Sequence, residues 1–124
     1  MLIVTKPVDF PYKNKNDFLT LNNYGKFTRI KYSDIIFIES DKHRCIIHKT
    51  DNSSIIIPIP ISQIIDMTKN SPLIRCHRSY IINMEKISTI DKTTATWIVK
   101  FNKSNKLAFI SRSYRPEIIK FLNK

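Results

Sequence analysis

Apolar residues along this chain fall in short runs, broken every few positions by Asn, Ser, Asp, Lys or Pro. The runs are dominated by isoleucine, with valine, threonine and aromatic residues beside it. Branched side chains of this kind suit a pleated, half-buried surface better than a helix. Short runs at close spacing with turn formers between them predict a mainly β domain. The pattern places strands near residues 17–21, 26–31, 34–39, 44–49, 54–57, 73–76, 80–82, 86–91, 95–101 and 106–110. Residues 95–101 alternate clearly: Trp97, Val99 and Phe101 share one face, and Thr96, Ile98 and Lys100 the other. Residues 35–38, Ile-Ile-Phe-Ile, are apolar on both faces, which predicts a strand covered on both sides.

Two segments break the period of two. Ser62 is placed to cap a helix over 63–69, with Ile64, Ile65 and Met67 turned inward. Ser113 is placed to cap a last helix over 114–122, with Pro116 in its first turn. Ile118, Ile119 and Leu122 would then form one apolar stripe. Residues 7–16 hold two prolines and then alternating Lys and Asn. Residues 1–16 are therefore expected to be a flexible lead-in, and 17–124 the folded domain.

Length and charge narrow the partners. A chain of 124 residues makes one ordinary domain with a core of its own. Its 21 Lys and Arg outnumber its 10 Asp and Glu, for a net charge of +11. An excess of that size favours an anionic partner: nucleic acid or an acidic membrane surface. The apolar start, Met1 to Val4, is too short for a signal-peptide core. The run from Ile55 to Ile61 is broken by two prolines and falls far short of the ~20 residues that span a bilayer. A cytoplasmic protein is expected, with Cys45 and Cys76 as buried thiols.

The same residues argue against an enzyme. One glycine, Gly25, leaves no room for a glycine-rich phosphate loop, so no nucleotide cofactor is expected. Cys45-x-x-His48 has a tempting look, but strand residues three apart face opposite sides, and no Cys/His pair has zinc-finger spacing. Neither a metal nor any other cofactor is expected. Cys76 and His77 are adjacent in sequence, which is not the geometry a Cys–His pair needs. The carboxylates Glu39, Asp41, Glu85 and Glu117 are scattered.

Cationic chemistry concentrates in three places. Asp41-Lys42-His43-Arg44 forms a basic turn between two strands. Arg75-Cys76-His77-Arg78-Ser79-Tyr80 puts three cation-capable side chains within four residues. On a regular strand Arg75 and His77 would point one way, and Cys76 and Arg78 the other. His77 has a competing structural role, bonded to backbone or to a carboxylate. Ser111-Arg112-Ser113-Tyr114-Arg115 sits at a helix start, where free N–H groups suit phosphate. Each segment also has a plainer reading as a solvated turn or a capped helix with exposed arginines. Lys100, Lys103 and Lys106 surround a further turn that reads chiefly as a soluble edge.

These strings carry a resemblance. S-D-I-I-F-I-E-S at 33–40, R-C-H-R-S-Y-I-I-N at 75–83 and I-S-R-S-Y at 110–114 resemble the LytTR DNA-binding domain of bacterial regulators, over about residues 17–122. The resemblance implies a compact arrangement of about ten mostly antiparallel strands with two short helices, whose loops enter successive major grooves of double-stranded DNA. It implies base contacts from His43 or Arg44, from Arg78 and from Arg112. It implies phosphate contacts from Lys42, Ser79, Ser111, Ser113 and Arg115. Residues 2–10 faintly resemble the Lys-Pro segment that closes a phospho-receiver domain, but 124 residues leave no room for one. The module therefore reads as stand-alone or truncated, a response-regulator output domain of the two-component type. It is expected to be a monomer in free solution, with two copies on a direct-repeat promoter site. The resemblance also allows a membrane-protein or sensor partner.

The expected function is sequence-specific binding of double-stranded DNA in transcription regulation. Two other classes stay open. A single-stranded nucleic-acid module would need exposed stacking aromatics, for which Tyr24, Phe27 and Tyr32 are candidates. A peripheral protein on an anionic membrane would need a basic amphipathic helix, and the last helix offers only Arg115, Lys120 and Lys124.

Overall fold

A computed structural model describes residues 17–23 and 25–123. The expected lead-in over 1–16 lies outside these residues, as does Tyr24. Ten strands and two α-helices run in the order β1 (Phe18–Asn23), β2 (Lys26–Lys31), β3 (Ile35–Asp41), β4 (Arg44–Lys49), β5 (Ser54–Ile57), α1 (Ile61–Met67), β6 (Leu73–His77), β7 (Tyr80–Asn83), β8 (Ile87–Asp91), β9 (Trp97–Phe101), β10 (Leu107–Ile110) and α2 (Arg115–Leu122). All pairings are antiparallel, and the mainly β fold matches the pattern of short branched runs. No helix of the described residues is long and apolar enough to cross a membrane.

A five-stranded sheet, ordered β5-β4-β3-β7-β6, forms the middle layer. One core joins its first face to the β1–β2 hairpin and to α1, through Leu19, Leu21, Ile30, Ile47 and Ile64. A second core joins its other face to the three-stranded sheet β10-β9-β8 and to α2, through Ile82, Val99, Phe101, Ile110 and Ile118. β3 is covered on both sides, as Ile-Ile-Phe-Ile requires. Its alternation is not regular, however. The register shifts between Ile35 and Phe37, a bulge that turns Ile36 and Phe37 together into the second core and leaves Ile35 and Ile38 to the first. Phe37 then stacks on Phe101, with ring centroids 5.1 Å apart.

The lone glycine closes the first hairpin. Asn23 pairs with Lys26, and Gly25 between them has φ 76, a left-handed conformation that costs an L side chain free energy.

Three short 3₁₀ turns, at Tyr32–Asp34, Met84–Lys86 and Arg112–Tyr114, were not expected from the pattern. The last of them shifts the start of α2, and Pro60 shifts that of α1. α1 begins at Ile61 rather than 63, and Pro60 is its N-cap, with φ −75 and ψ 158. The fixed ring φ already holds the extended cap conformation, so Ser62 lies inside the first turn and does not cap. α2 begins at Arg115 after the 3₁₀ turn, with Tyr114 as N-cap, and Ser113 makes no capping bond. Of the expected stripe only Ile118 is buried; Ile119 and Leu122 are 38 % and 47 % exposed. Met67 in α1 is likewise exposed, whereas Ile64 is buried. Trp97, Val99 and Phe101 do share the inward face of β9, although the strand starts at 97 instead of 95.

Asn83 ties the layers together. It is fully buried, and its Nδ2 donates to Tyr32 O at 3.0 Å and to Ile35 O at 2.8 Å. Its Oδ1 accepts from Glu85 N–H at 2.9 Å. One side chain thus holds both the turn leading into β3 and the turn leaving β7.

Candidate nucleic-acid interface

Strand register decides where the cationic segments lie. β3 ends at Asp41, opposite Arg44, so Lys42 and His43 form a two-residue hairpin tip. β7 runs antiparallel to β3, with Tyr80 opposite Glu39. The β6–β7 tip, Arg78-Ser79, therefore leaves the sheet at the same edge as Lys42-His43. A backbone bond from Ser40 N–H to Ser79 O, 2.9 Å, joins the two tips. The third segment reaches this edge from the other sheet: Ser111 N–H donates to Cys76 O at 3.0 Å, one residue before β6 ends. Three segments separated by more than thirty residues each are thus assembled at one end of the fold.

The side chains differ in how free they are. Lys42 and His43 are exposed and, among the described residues, make no side-chain hydrogen bond. Lys42 has φ 61, so the left-handed position of this tip falls on a lysine. Arg44 is held across the strand pair by Asp41, with both Nε and Nη2 at 3.0 Å from Oδ2. The pair is exposed, and such pairs contribute about 0–1 kcal/mol, so an anion can compete for the guanidinium at little cost. Arg78 and Arg112 are exposed and unpaired among the described residues.

Arg78 owes its position to two neighbours. β6 carries a register shift between Arg75 and His77, so the expected alternation fails. Cys76 is buried in the second core, while Arg78 sits in the tip, exposed. Arg75 braces the tip from below: its Nη2 donates to Arg78 O at 2.7 Å and its Nε to His77 O at 3.3 Å. His77 Nδ1 accepts from Ser79 N–H at 3.0 Å, and its ring meets Tyr80 edge-on at 5.3 Å. Burial, then the charges of Arg78 and Arg75, hold the imidazole below its usual value, which keeps Nδ1 free to accept. His77 is a structural histidine of this turn. Burial likewise raises the thiols of Cys45 and Cys76, to about 11 and about 12.

In the third segment Ser111 is half-buried and Ser113 exposed. Arg115 is committed elsewhere. Its guanidinium lies over the Trp97 ring, 4.5 Å from the centroid, and its Nη2 donates to Ala95 O. Arg115 thus fastens the start of α2 to the loop between β8 and β9. The turn at 102–106, with Lys103 and Lys106, joins β9 to β10 at the opposite end of their sheet.

The rival surfaces lose support. Of the stacking candidates, Tyr32 is 5 % exposed and cannot stack a base, whereas Phe27 is 62 % exposed and, among the described residues, is the one candidate left open to a base. Trp97 is already covered by Arg115 and by Lys92, whose Nζ lies 5.0 Å from the ring centroid. With Arg115 engaged, Lys120 is the free cation of α2 among the described residues, too little for a membrane-binding face.

Pattern reasoning missed Asn83, the brace from Arg75 and the Arg115–Trp97 stack. The first two lie within the string R-C-H-R-S-Y-I-I-N, but nothing local says which carbonyls they reach.

Comparison with known proteins bears on the fold and the family. No curated protein matches the chain in sequence. The fold is similar to a solved structure from Bacillus cereus, the LytTr DNA-binding domain of a protein described as a methyl-accepting/DNA response regulator. The TM-score is 0.71 at 19 % identity, covering 89 % of this chain and 100 % of that one. The model of the LytTr DNA-binding domain matches residues 25–123, which include all three cationic segments, and the chain therefore belongs to the LytTR family of DNA-binding domains.

Proposed function

We propose that this protein is a transcription regulator that binds double-stranded DNA sequence-specifically through the three segments at this edge. His43 or Arg44, Arg78 and Arg112 read base edges in the major groove. Arginine suits the task because its planar fork matches guanine O6 and N7 bidentately. Lys42, Ser79, Ser111 and Ser113 contact phosphates, and Arg115 acts as a positioning residue for the third segment. The observation that supports the proposal is the meeting of exposed, unpaired cations from distant parts of the chain at one edge of a rigid sheet. Phosphate contacts supply most of the affinity and base contacts the discrimination. The protein acts in the cytoplasm.

The test begins by selecting bound duplexes from a random pool. A direct repeat among them indicates two copies per site. Arg78→Ala and Arg112→Ala should each lose about 1–3 kcal/mol on the selected site and relax its sequence preference. Lys42→Ala should weaken all duplexes about equally and lower the salt slope by about 1. Equal losses of the arginine variants on selected and random duplexes would refute base readout, and preference for single strands would refute the duplex.

A further inference from the structure

The loop between β8 and β9, residues 92–96, was no part of the sequence-based site. Register places it beside that site. Trp97, the first residue of β9, pairs with Ile110, the last of β10, and Asp91, the last of β8, pairs with Ile98. The loop therefore leaves the three-stranded sheet at the end from which Ser111 and Arg112 emerge. Arg115 locks the two together, stacking on Trp97 and donating to Ala95 O. Residues 92–96 are all exposed. The loop is also ordered from within: Asp91 Oδ1 accepts from Thr93 N–H at 2.9 Å and from its hydroxyl at 2.6 Å. That carboxylate is thereby turned into its own loop. Lys92, held against the Trp97 ring, has no carboxylate partner among the described residues.

We propose that this loop, through Lys92, is a fourth contact to the DNA phosphate backbone, placed beside the Arg112 segment and held there by the Arg115–Trp97 stack. The proposal rests on the duplex-binding reading above. An ammonium contributes as a point charge, so the contact adds affinity and salt dependence without sequence preference. The topology separates this loop sharply from the lysine-rich 102–106 turn. That turn lies at the far end of the same sheet, and mobile ions screen exposed charges beyond about 10 Å at ordinary salt.

Anisotropy titrations with the full chain, on the selected duplex and on a random one between about 50 and 200 mM salt, test the proposal. Lys92→Gln should lower the salt slope by about 1 on both duplexes and leave their affinity ratio unchanged. Lys92→Arg should restore the slope. Lys106→Gln, an equal loss of charge at the opposite end, should leave it unchanged. A wild-type slope in Lys92→Gln, or an equal drop in Lys106→Gln, overturns the fourth contact. If Arg78→Ala and Arg112→Ala still lose discrimination in that case, the three-segment reading stands without it. A wild-type protein that binds no duplex removes both.

Discussion

Replacing Asn83 by alanine removes three hydrogen bonds from a fully buried site, and their partners set the cost. Tyr32 O also accepts the Ile35 N–H, so it keeps a partner when the amide is gone. Ile35 O and Glu85 N–H lose the bonds that Asn83 made. A buried group left without its partner costs about 1–3 kcal/mol, and the amide of exposed Glu85 belongs at the low end, so the expected loss is about 2–4 kcal/mol. For a domain of this size that corresponds to a fall in melting midpoint of about 10 °C. Urea unfolding, followed by far-ultraviolet circular dichroism and by Trp97 fluorescence, measures it. Asn83→Asp sharpens the test, because at neutral pH it places a carboxylate against two carbonyl oxygens. The introduced group has a folded-state pKa above its unfolded value near 3.9, since only the protonated form can donate. Its favourable contribution is present below that value and lost as pH rises through the folded pKa. Asn83→Asp should therefore be less stable than Asn83→Ala at pH 7, and the gap should narrow toward pH 4. A loss below about 0.5 kcal/mol in Asn83→Ala, less than one ordinary hydrogen bond, would refute the clasp.

Two further outcomes follow from titratable groups near the interface. With their thiols raised to about 11 and about 12 by burial, Cys45 and Cys76 should resist iodoacetamide in the native protein at pH 8 and react fully once it is unfolded. Mass spectrometry reads the adducts, and rapid native labelling of Cys76 would contradict its place in the second core. For His77 the folded pKa is depressed, so the unfolded chain takes up the proton first. Its contribution is complete above about pH 6.5 and declines as pH falls from there toward the folded value. Wild type should lose stability relative to His77→Gln between pH 7 and 5, and parallel pH profiles would refute an imidazole held low by burial beside Arg78 and Arg75.

The strand positions were legible because side-chain alternation is a local property. Trp97, Val99 and Phe101 announce their shared face within seven residues, and Ile-Ile-Phe-Ile announces a strand covered twice. The basic tips were legible for the same reason, as clusters of Lys, His and Arg between apolar runs. Bulges were not. The slip at Ile36 and Phe37, and that at Cys76, depend on what lies across the strand, and a shift of one residue reverses every face beyond it. Helix starts were also misjudged, because Pro60 and a 3₁₀ turn outcompeted Ser62 and Ser113 as the way in. The exposure of Ile119 and Leu122 on α2 shows that an apolar stripe is not by itself enough to bury every one of its residues among the described elements.

Composition and local pattern alone determined a basic, mainly antiparallel β domain with three exposed cationic segments. That those segments meet at one edge was decided by the order β5-β4-β3-β7-β6 and by the bond from Ser111 to Cys76, both of them pairings between residues far apart in the chain. The fate of each arginine was decided there too: Arg78 and Arg112 open to solvent, Arg44 shared with Asp41, Arg75 and Arg115 bonded to backbone carbonyls. A guanidinium has the same charge wherever it stands, and only the groups brought against it by the fold determine whether it braces the protein or remains available to a phosphate or a base.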